Sequence, residues 1–220
     1  PEKTFAELVY MLEVFAFRYK NMCNGHAGPP AKAYYDAAKA MRNHSGPAPF
    51  SLATLRQDLR ALINSSASDQ RFREELAEKL RYSNSSQRAN IREFLTTLED
   101  HDGWLAGTHP PNSLPKPQMS KVVDIDNAAI EHIYPQNAKP ADRVAALDAV
   151  RHFLGNLTFF GENDNVAAGN KPFAAKQAAH YATSSVLMTQ RLATAAQWTA
   201  AEVSQREANL LSAAVRVFVI

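Results

Sequence analysis

The feature that most constrains the fold is a group of four prolines in the middle of the chain, Pro110, Pro111, Pro115 and Pro117. They lie in a stretch from Gly103 to Lys121 with little apolar periodicity, which is typical of a linker or an extended segment. Before this stretch, apolar side chains recur at helical spacing; after it, β-branched runs alternate with helical patterns. We therefore predict a helical subdomain at 1–102, a Pro-rich linker at 103–120 and a second domain at 121–220.

The first part is predicted to be entirely helical. Thr4 and Glu7 have the spacing of a capping box, apolar residues then recur at intervals of three and four, and Gly25 ends the pattern. Further helices are predicted to begin near Pro30, Ser51, Ser68 or Asp69, and Ser85 or Ser86. The aromatic and leucine stripes of these helices, with Phe5 at their start, are predicted to form the core.

The second part is predicted to hold a small β element among helices. Short strands are expected at 121–125, 129–134 and 156–160, where β-branched and aromatic residues are frequent. Helices are expected at 142–153, 172–181 and 184–193. A last helix is predicted from the capping box of Thr199 and Glu202, with Trp198 and Val203 as a hydrophobic staple. The predicted fold class is mainly α with a small β element.

The composition excludes several classes of protein. Apolar residues make up 45% and charged residues 21% of the chain, as in an ordinary globular protein, and the net charge of +2 does not by itself indicate a nucleic-acid binder. Cys23 is the only cysteine, which excludes intramolecular disulfides and paired-cysteine zinc sites. We find no signal peptide and no apolar run of membrane-spanning length, so we expect a cytoplasmic protein without a membrane partner.

Side chains suited to catalysis gather between residues 130 and 176. His132 ends a predicted strand, and histidine suits a general base because its unperturbed pKa lies near neutrality. Glu131 and the amide oxygen of Asn165 would supply the oxygen ligands that a hydrated Mg²⁺ prefers. Asn156 is placed to hold the loop or the histidine ring by hydrogen bonds. The pattern indicates metal-dependent phosphodiester hydrolysis.

Each of these residues also has a structural interpretation. In an extended strand Glu131 and His132 face opposite ways, so both serve one metal only if the strand bends or bulges. The sequence is equally compatible with Glu131 as a metal ligand and with Glu131 as a solvent-facing residue that takes no part in the site. Asn170 can cap a helix that begins near Pro172. Taken alone, Lys176 is an ordinary solvated lysine.

The other basic and histidine residues favour structural roles. Six basic residues between 71 and 92 alternate with glutamates, which indicates a solvated helix surface rather than a phosphate-binding one. They are Arg71, Arg73, Lys79, Arg81, Arg88 and Arg92. We interpret His152 and His180, on predicted helices, as structural, and Asp124 and Asp126 as turn or strand-end residues.

Three strings carry a resemblance to a known family: EHIYPQ at 131–136, GNLT at 155–158 and NKPF at 170–173, together with Asn165 and Lys176. They resemble the motifs of HNH, or ββα-metal, nucleases. More closely, they are similar to the C-terminal nuclease domain of GmrSD-like modification-dependent (type IV) restriction enzymes, which include phosphorothioate-sensing relatives. The resemblance covers nearly the whole chain. It implies an N-terminal helical bundle and a ββα-metal core that C-terminal helices wrap.

The resemblance also implies a set of catalytic residues. His132 matches the general base and Asn156 matches the middle asparagine of the motif. Asn165 matches the final metal-binding position, while Glu131 replaces the more common aspartate as a metal ligand. Lys176 is typical of this branch and is included among the catalytic residues. The substrate phosphate would be contacted by Asn170, Lys171 and Lys176.

The function implied is a DNA endonuclease or nickase that uses one Mg²⁺ or Mn²⁺ ion and acts against phage in the bacterial cytoplasm. Its partners would be double-stranded DNA, modified or from phage, and an N-terminal nucleotide-hydrolysing and sensing domain that this fragment lacks. No GxxxxGK[ST] phosphate loop is present. Two alternatives stay open: a non-catalytic module that binds DNA or a partner and retains the nuclease fold, and an RNase.

Overall fold

The structure is a computed structural model that describes residues 2–110, 113–118, 129–160 and 167–220. These residues are mostly helical, and their strands form one two-stranded antiparallel sheet, which confirms the predicted fold class in outline. The chain divides into two compact units, Pro1–Leu76 with Phe218–Ile220, and Ala77–Val217. No helix of the described part is long and apolar enough to cross a membrane.

The helices of the first unit follow the predicted order. They are α1 (Glu2–Phe15), which continues as a π-helix at Ala16–Met22, α2 (Gly28–Arg42), α3 (Ala53–Ser66) and α4 (Asp69–Lys79), whose last turn belongs to the second unit. Thr4 does not cap α1, because the helix has already begun at Glu2. Phe5, predicted to be core, is 68% exposed.

A buried guanidinium, that of Arg18, joins the segments of the first unit. Its Nε and Nη2 donate to the carbonyl oxygen of Ala67 at 2.9 and 2.8 Å, and its Nη1 donates to that of Phe218 at 3.1 Å. Nη2 also donates to Asp69 at 2.6 Å. Since a buried cation is stable only when it is paired and hydrogen-bonded, these contacts fasten residues 67–69 and 218 to the same point.

The second unit contains the sheet and the remaining helices. Its elements are α5 (Arg88–Asp100), α6 (Asp102–Ala106), β1 (Ala129–His132), α7 (Ala145–Val150), β2 (Leu157–Phe160), α8 (Phe173–Lys176), which continues as a π-helix at Gln177–Tyr181, α9 (Leu187–Gln190) and α10 (Ala200–Val217). The helix predicted at 142–153 is shorter, because Pro140–Asp142 forms a separate 3₁₀ turn and Val144 is extended. The strand predicted at 121–125 lies outside the described residues.

The β-sheet is short and buried. β1 and β2 are antiparallel, with Ala129 opposite Phe160 and His132 opposite Leu157. The end of β2, the loop after β1 and the surrounding helices contribute to one core cluster: Ile133, Tyr134, Ala138, Leu147, Phe160, Ala168, Tyr181, Leu192, Trp198 and Val203. The predicted cap of α10 is confirmed, because the Thr199 N–H donates to the Glu202 carboxylate at 2.9 Å.

The predicted domain boundaries stay a prediction. The proposed linker at 103–120 begins inside α6 (Asp102–Ala106), and positions 111, 112, 119 and 120 lie outside the described residues. The division between the compact units falls earlier, between residues 76 and 77.

Candidate active site

The imidazole of His132 lies at the end of β1, where the strand gives way to the loop that contains Pro135. The residue is 5% exposed, and its Nε2 atom is buried without a hydrogen-bond partner among the described residues. The Tyr82 ring packs against it edge to face, with the ring centroids 4.4 Å apart, and the His152 ring lies 5.5 Å away. The sheet fixes the position of the imidazole, and its Nε2 has no hydrogen-bond partner in the part of the chain that the structure describes.

The electrostatic surroundings keep this imidazole neutral. Burial above all, and then the charges of His152, Lys176, Arg151 and Arg88, together lower the pKa of His132 to about 3. Among the described residues, the charges that act on the ring are therefore all basic. At neutral pH His132 holds a free lone pair, which a general base requires.

Glu131 precedes His132 in the strand and contacts a different partner. Its carboxylate accepts a hydrogen bond and ion pair from the Lys176 ammonium on α8. Lys176 is fully buried, and its Nζ also donates to the His132 carbonyl oxygen at 2.7 Å. Burial raises the pKa of Glu131 and lowers that of Lys176, and the pairing offsets part of both shifts.

This pair changes how both residues are interpreted. The Lys176 side chain has no accessible surface. It is therefore not a solvated lysine, and in this conformation it is not exposed to a substrate phosphate. The Glu131 carboxylate is occupied by an ammonium, which competes with a metal ion for the same oxygens. The predicted phosphate and metal roles stay predictions, while the observed contacts brace the backbone of His132.

Asn156 uses both ends of its side-chain amide in hydrogen bonds. Its Oδ1 accepts from the Tyr134 N–H at 2.8 Å and from the Trp198 indole N–H at 3.0 Å. Its Nδ2 donates to the carbonyl oxygens of Tyr134 at 2.9 Å and Arg151 at 2.8 Å. Of the two predicted possibilities, these contacts realise the first: Asn156 holds the loop that follows His132.

The turn that carries Asn156 is fastened to α10. The Arg206 guanidinium donates from Nη1 to the carbonyl oxygens of Gly155 at 2.9 Å and Leu157 at 2.6 Å. A Cβ atom on Gly155 would lie 1.9 Å from the carbonyl oxygen of Val203, so the close approach of turn and helix requires glycine.

The structure describes two of the remaining predicted site residues, Asn170 and Lys171, and shows no contact between either of them and His132. Asn165 lies outside the described residues. Asn170 and Lys171 are exposed in the turn before α8, where the Lys171 ammonium donates to the Ala167 carbonyl oxygen at 2.8 Å. Their proposed phosphate contacts stay a prediction.

A metal site is not complete in the part of the chain that the structure describes. Within residues 2–110, 113–118, 129–160 and 167–220, no three His, Cys, Asp or Glu side chains converge to hold an ion. The carboxylate of Glu131 is paired, and Asn165 falls in the undescribed range 161–166. The described donors therefore do not by themselves fit a metal ion.

Sequence reasoning did not place the residues that surround His132: it interpreted Arg88 as part of a solvated helix surface and His152 as structural, and it did not consider Tyr82 or Arg151. Tyr82 and Arg88 come from a turn and helix more than 40 positions earlier, and Arg151 and His152 follow α7. Neither group has a motif or a spacing relative to His132 that reveals the contact. The two groups meet only in the folded chain, where the N–H of Tyr82 donates to the His152 carbonyl oxygen at 3.0 Å.

These features define a mainly helical protein with a small antiparallel sheet. At the end of one strand lies a neutral imidazole that basic side chains surround. The family model for the C-terminal domain of GmrSD restriction endonucleases matches residues 66–213. The chain belongs to this family, which confirms the resemblance seen in its motifs. A comparison with curated proteins found no match.

Proposed function

We propose that this domain is a metal-dependent endonuclease or nickase of the HNH, or ββα-metal, type that hydrolyses DNA. It would be the cutting module of a modification-dependent restriction protein in defence against phage. The membership in a restriction endonuclease family supports nuclease activity. The observation that carries the proposal is the His132 imidazole, which is neutral, buried at a strand end and unpartnered at Nε2 among the described residues.

In the proposed reaction His132 is the general base. It takes a proton from water as the water oxygen bonds to the scissile phosphorus, and the bond from phosphorus to the 3′ oxygen breaks. A single such site cuts one strand, so a double-strand break needs two copies or two successive cuts. General-base catalysis of this kind contributes about 10²- to 10⁴-fold in rate.

The other residues position this base. Lys176 holds the His132 carbonyl oxygen, and Glu131 holds Lys176 in turn. Asn156 fixes the backbone of Tyr134 two residues further on. Side chains that hold a reacting group in this way restrict its motion, which catalysis requires.

The proposal includes one divalent ion, Mg²⁺ or Mn²⁺, with Asn165 as a ligand and Glu131 as a second if it leaves Lys176. When bound, such an ion would neutralise charge on the phosphate and on the departing oxygen. The proposed partners are double-stranded DNA, modified or from phage, and an upstream domain that hydrolyses nucleotide and senses the modification.

Nicking of supercoiled plasmid DNA tests the proposal. Wild type, His132→Ala and His26→Ala would each be assayed with Mg²⁺, Mn²⁺ or EDTA. His26 is an exposed histidine of the first unit and serves as the matched control. We expect metal-dependent nicking by wild type and His26→Ala, and a loss of about 10²- to 10⁴-fold in His132→Ala.

Other outcomes separate the alternatives. Equal nicking by wild type and a folded His132→Ala protein would show that His132 is not the base. Wild-type protein that binds DNA and never cuts it with any of these metals, alone or joined to its upstream domain, would favour a binding module. Cleavage of RNA without cleavage of DNA would indicate an RNase.

A further inference from the structure

Two arginines and a histidine form a basic cluster around His132: Arg88, Arg151 and His152. All of them act electrostatically on the imidazole, and all belong to the second compact unit. The imidazole is buried, whereas Arg88 is exposed and the Arg151 side chain is 40% exposed. A polyanion can therefore reach these guanidinium groups from solvent.

The guanidinium of Arg88 is oriented but not neutralised. It lies over the Tyr82 ring, 4.5 Å from the ring centroid, and the same ring contacts the imidazole of His132. Within the described residues no carboxylate forms an ion pair with Arg88. Stacking on an aromatic ring leaves the N–H groups at the guanidinium edge free to donate to an anion.

The polar groups of Arg151 and His152 are also incompletely paired among the described residues. Arg151 Nη1 approaches Asp148 only at 3.7 Å, and its Nε donates to His152 Nε2 at 3.2 Å. The other ring nitrogen of His152, Nδ1, is buried without a hydrogen-bond partner among the described residues. His152 and His132 thus each hold a buried nitrogen that lacks a protein partner, and their ring centroids are 5.5 Å apart.

We propose that Arg88 and Arg151 bind the phosphodiester backbone of DNA next to the scissile phosphate, with Tyr82 holding the Arg88 guanidinium and His152 the Arg151 guanidinium in place. This inference rests on the proposed function and assigns its substrate contacts. Arginine suits the role because its planar fork of donors matches two phosphate oxygens. A cluster of basic groups in which the Arg151 ion pair with Asp148 is as long as 3.7 Å and Arg88 has no ion pair among the described residues also attracts a polyanion over a distance.

Binding and cutting would be measured separately. Binding of a short DNA duplex would be followed by fluorescence anisotropy over a range of salt concentrations, in the His132→Ala background. Arg88→Ala, Arg151→Ala and Arg73→Ala would be compared, because Arg73 is an exposed arginine of the other unit whose charge does not act on His132. Truncating Arg151 leaves its backbone carbonyl, which Asn156 binds, in place.

We expect Arg88→Ala and Arg151→Ala each to weaken duplex binding about tenfold at low salt and to lower the slope of log affinity against log salt by about 1. Arg88→Lys should keep the salt slope and lose part of the affinity, because it retains charge without the planar fork. In the active background, KM should rise more than kcat falls. The salt slope is a readout that a purely structural role would not change.

Failure of this inference is distinguishable from failure of the proposed function. If wild type nicks DNA and the binding of Arg88→Ala and Arg151→Ala equals that of Arg73→Ala, the basic cluster does not bind phosphate. If wild type never nicks but these two variants lose binding and salt slope, the cluster binds DNA and the proposed catalysis is wrong.

Discussion

Replacing Lys176 with methionine would test the buried ion pair directly. The change removes the ammonium that pairs with Glu131, at a position with no exposed surface. At pH 7 Glu131 must then stay charged without a partner or take a proton, which costs about 3.7 kcal/mol for a carboxyl of ordinary pKa near 4.3. Removing one partner of a buried pair typically costs about 3–5 kcal/mol. We expect Lys176→Met to lower the free energy of unfolding by about that amount.

A second substitution removes the uncompensated charge. In Lys176→Met with Glu131→Gln, what remains lost is mainly the hydrogen bond to the His132 carbonyl oxygen, about 1 kcal/mol. The double variant should therefore be more stable than Lys176→Met by about 2–4 kcal/mol. In Lys176→Met the unpaired, buried carboxyl has a folded-state pKa above its unfolded value. Stability associated with such a group is lost as pH rises, so the penalty should be smaller at pH 5 than at pH 7.

Urea unfolding followed by tryptophan fluorescence would measure these differences. Trp104 and Trp198 are the only tryptophans and both belong to Ala77–Val217, so the fluorescence reports on the unit that contains the pair. Lys171→Met is the matched control, since Lys171 is exposed and should change stability by about 0.5 kcal/mol or less. The reasoning is refuted if Lys176→Met is as stable as this control at pH 7, or if the double variant is no more stable than Lys176→Met.

Two further predictions concern other parts of the second unit. Gly155→Ala should destabilise the second unit and reduce nicking, because the new Cβ would lie 1.9 Å from the Val203 carbonyl oxygen. Urea unfolding and the plasmid assay would measure both effects. Wild-type behaviour in both assays would contradict the prediction. Burial lowers the pKa of His101, so below about pH 6.5 the unfolded state takes up the proton first. Between pH 7 and pH 5, wild type should therefore lose more stability than His101→Gln, and equal losses in pH-dependent urea unfolding would contradict this.

Local sequence patterns predicted much of the fold. The predicted strands at 129–134 and 156–160 correspond to β1 and β2, and the cap and staple at Trp198 to Glu202 lie where α10 begins. Such features depend on neighbours within a few residues, where periodicity and capping rules apply. The prediction for Phe5 was wrong, because a helical stripe does not reveal how far along its length another element covers it.

The site was harder to predict because its contacts join distant parts of the chain. The partners of Lys176 are 45 and 44 positions away in sequence, and Asn156 contacts Trp198 across 42 positions. No pattern in the sequence distinguishes a helical lysine that will be buried against a strand from one that stays in solvent. The structure brings Glu131, Lys176 and the His132 backbone into contact, and Asn156 contacts the loop that follows, while the catalytic roles of these residues stay predictions.

The structure separates the motif residues by whether their side-chain polar atoms have partners among the described residues. Glu131, Lys176 and Asn156 direct their polar atoms to one another, to backbone and to Trp198, so in this conformation they can act only through the position of the strand end. His132 is different, because its Nε2 has no partner among the described residues and the charges acting on it are basic. An anion that approaches would offset those charges and favour protonation of the imidazole. In the proposed reaction, the arrival of a phosphate would therefore make His132 a stronger base where it takes the proton from water.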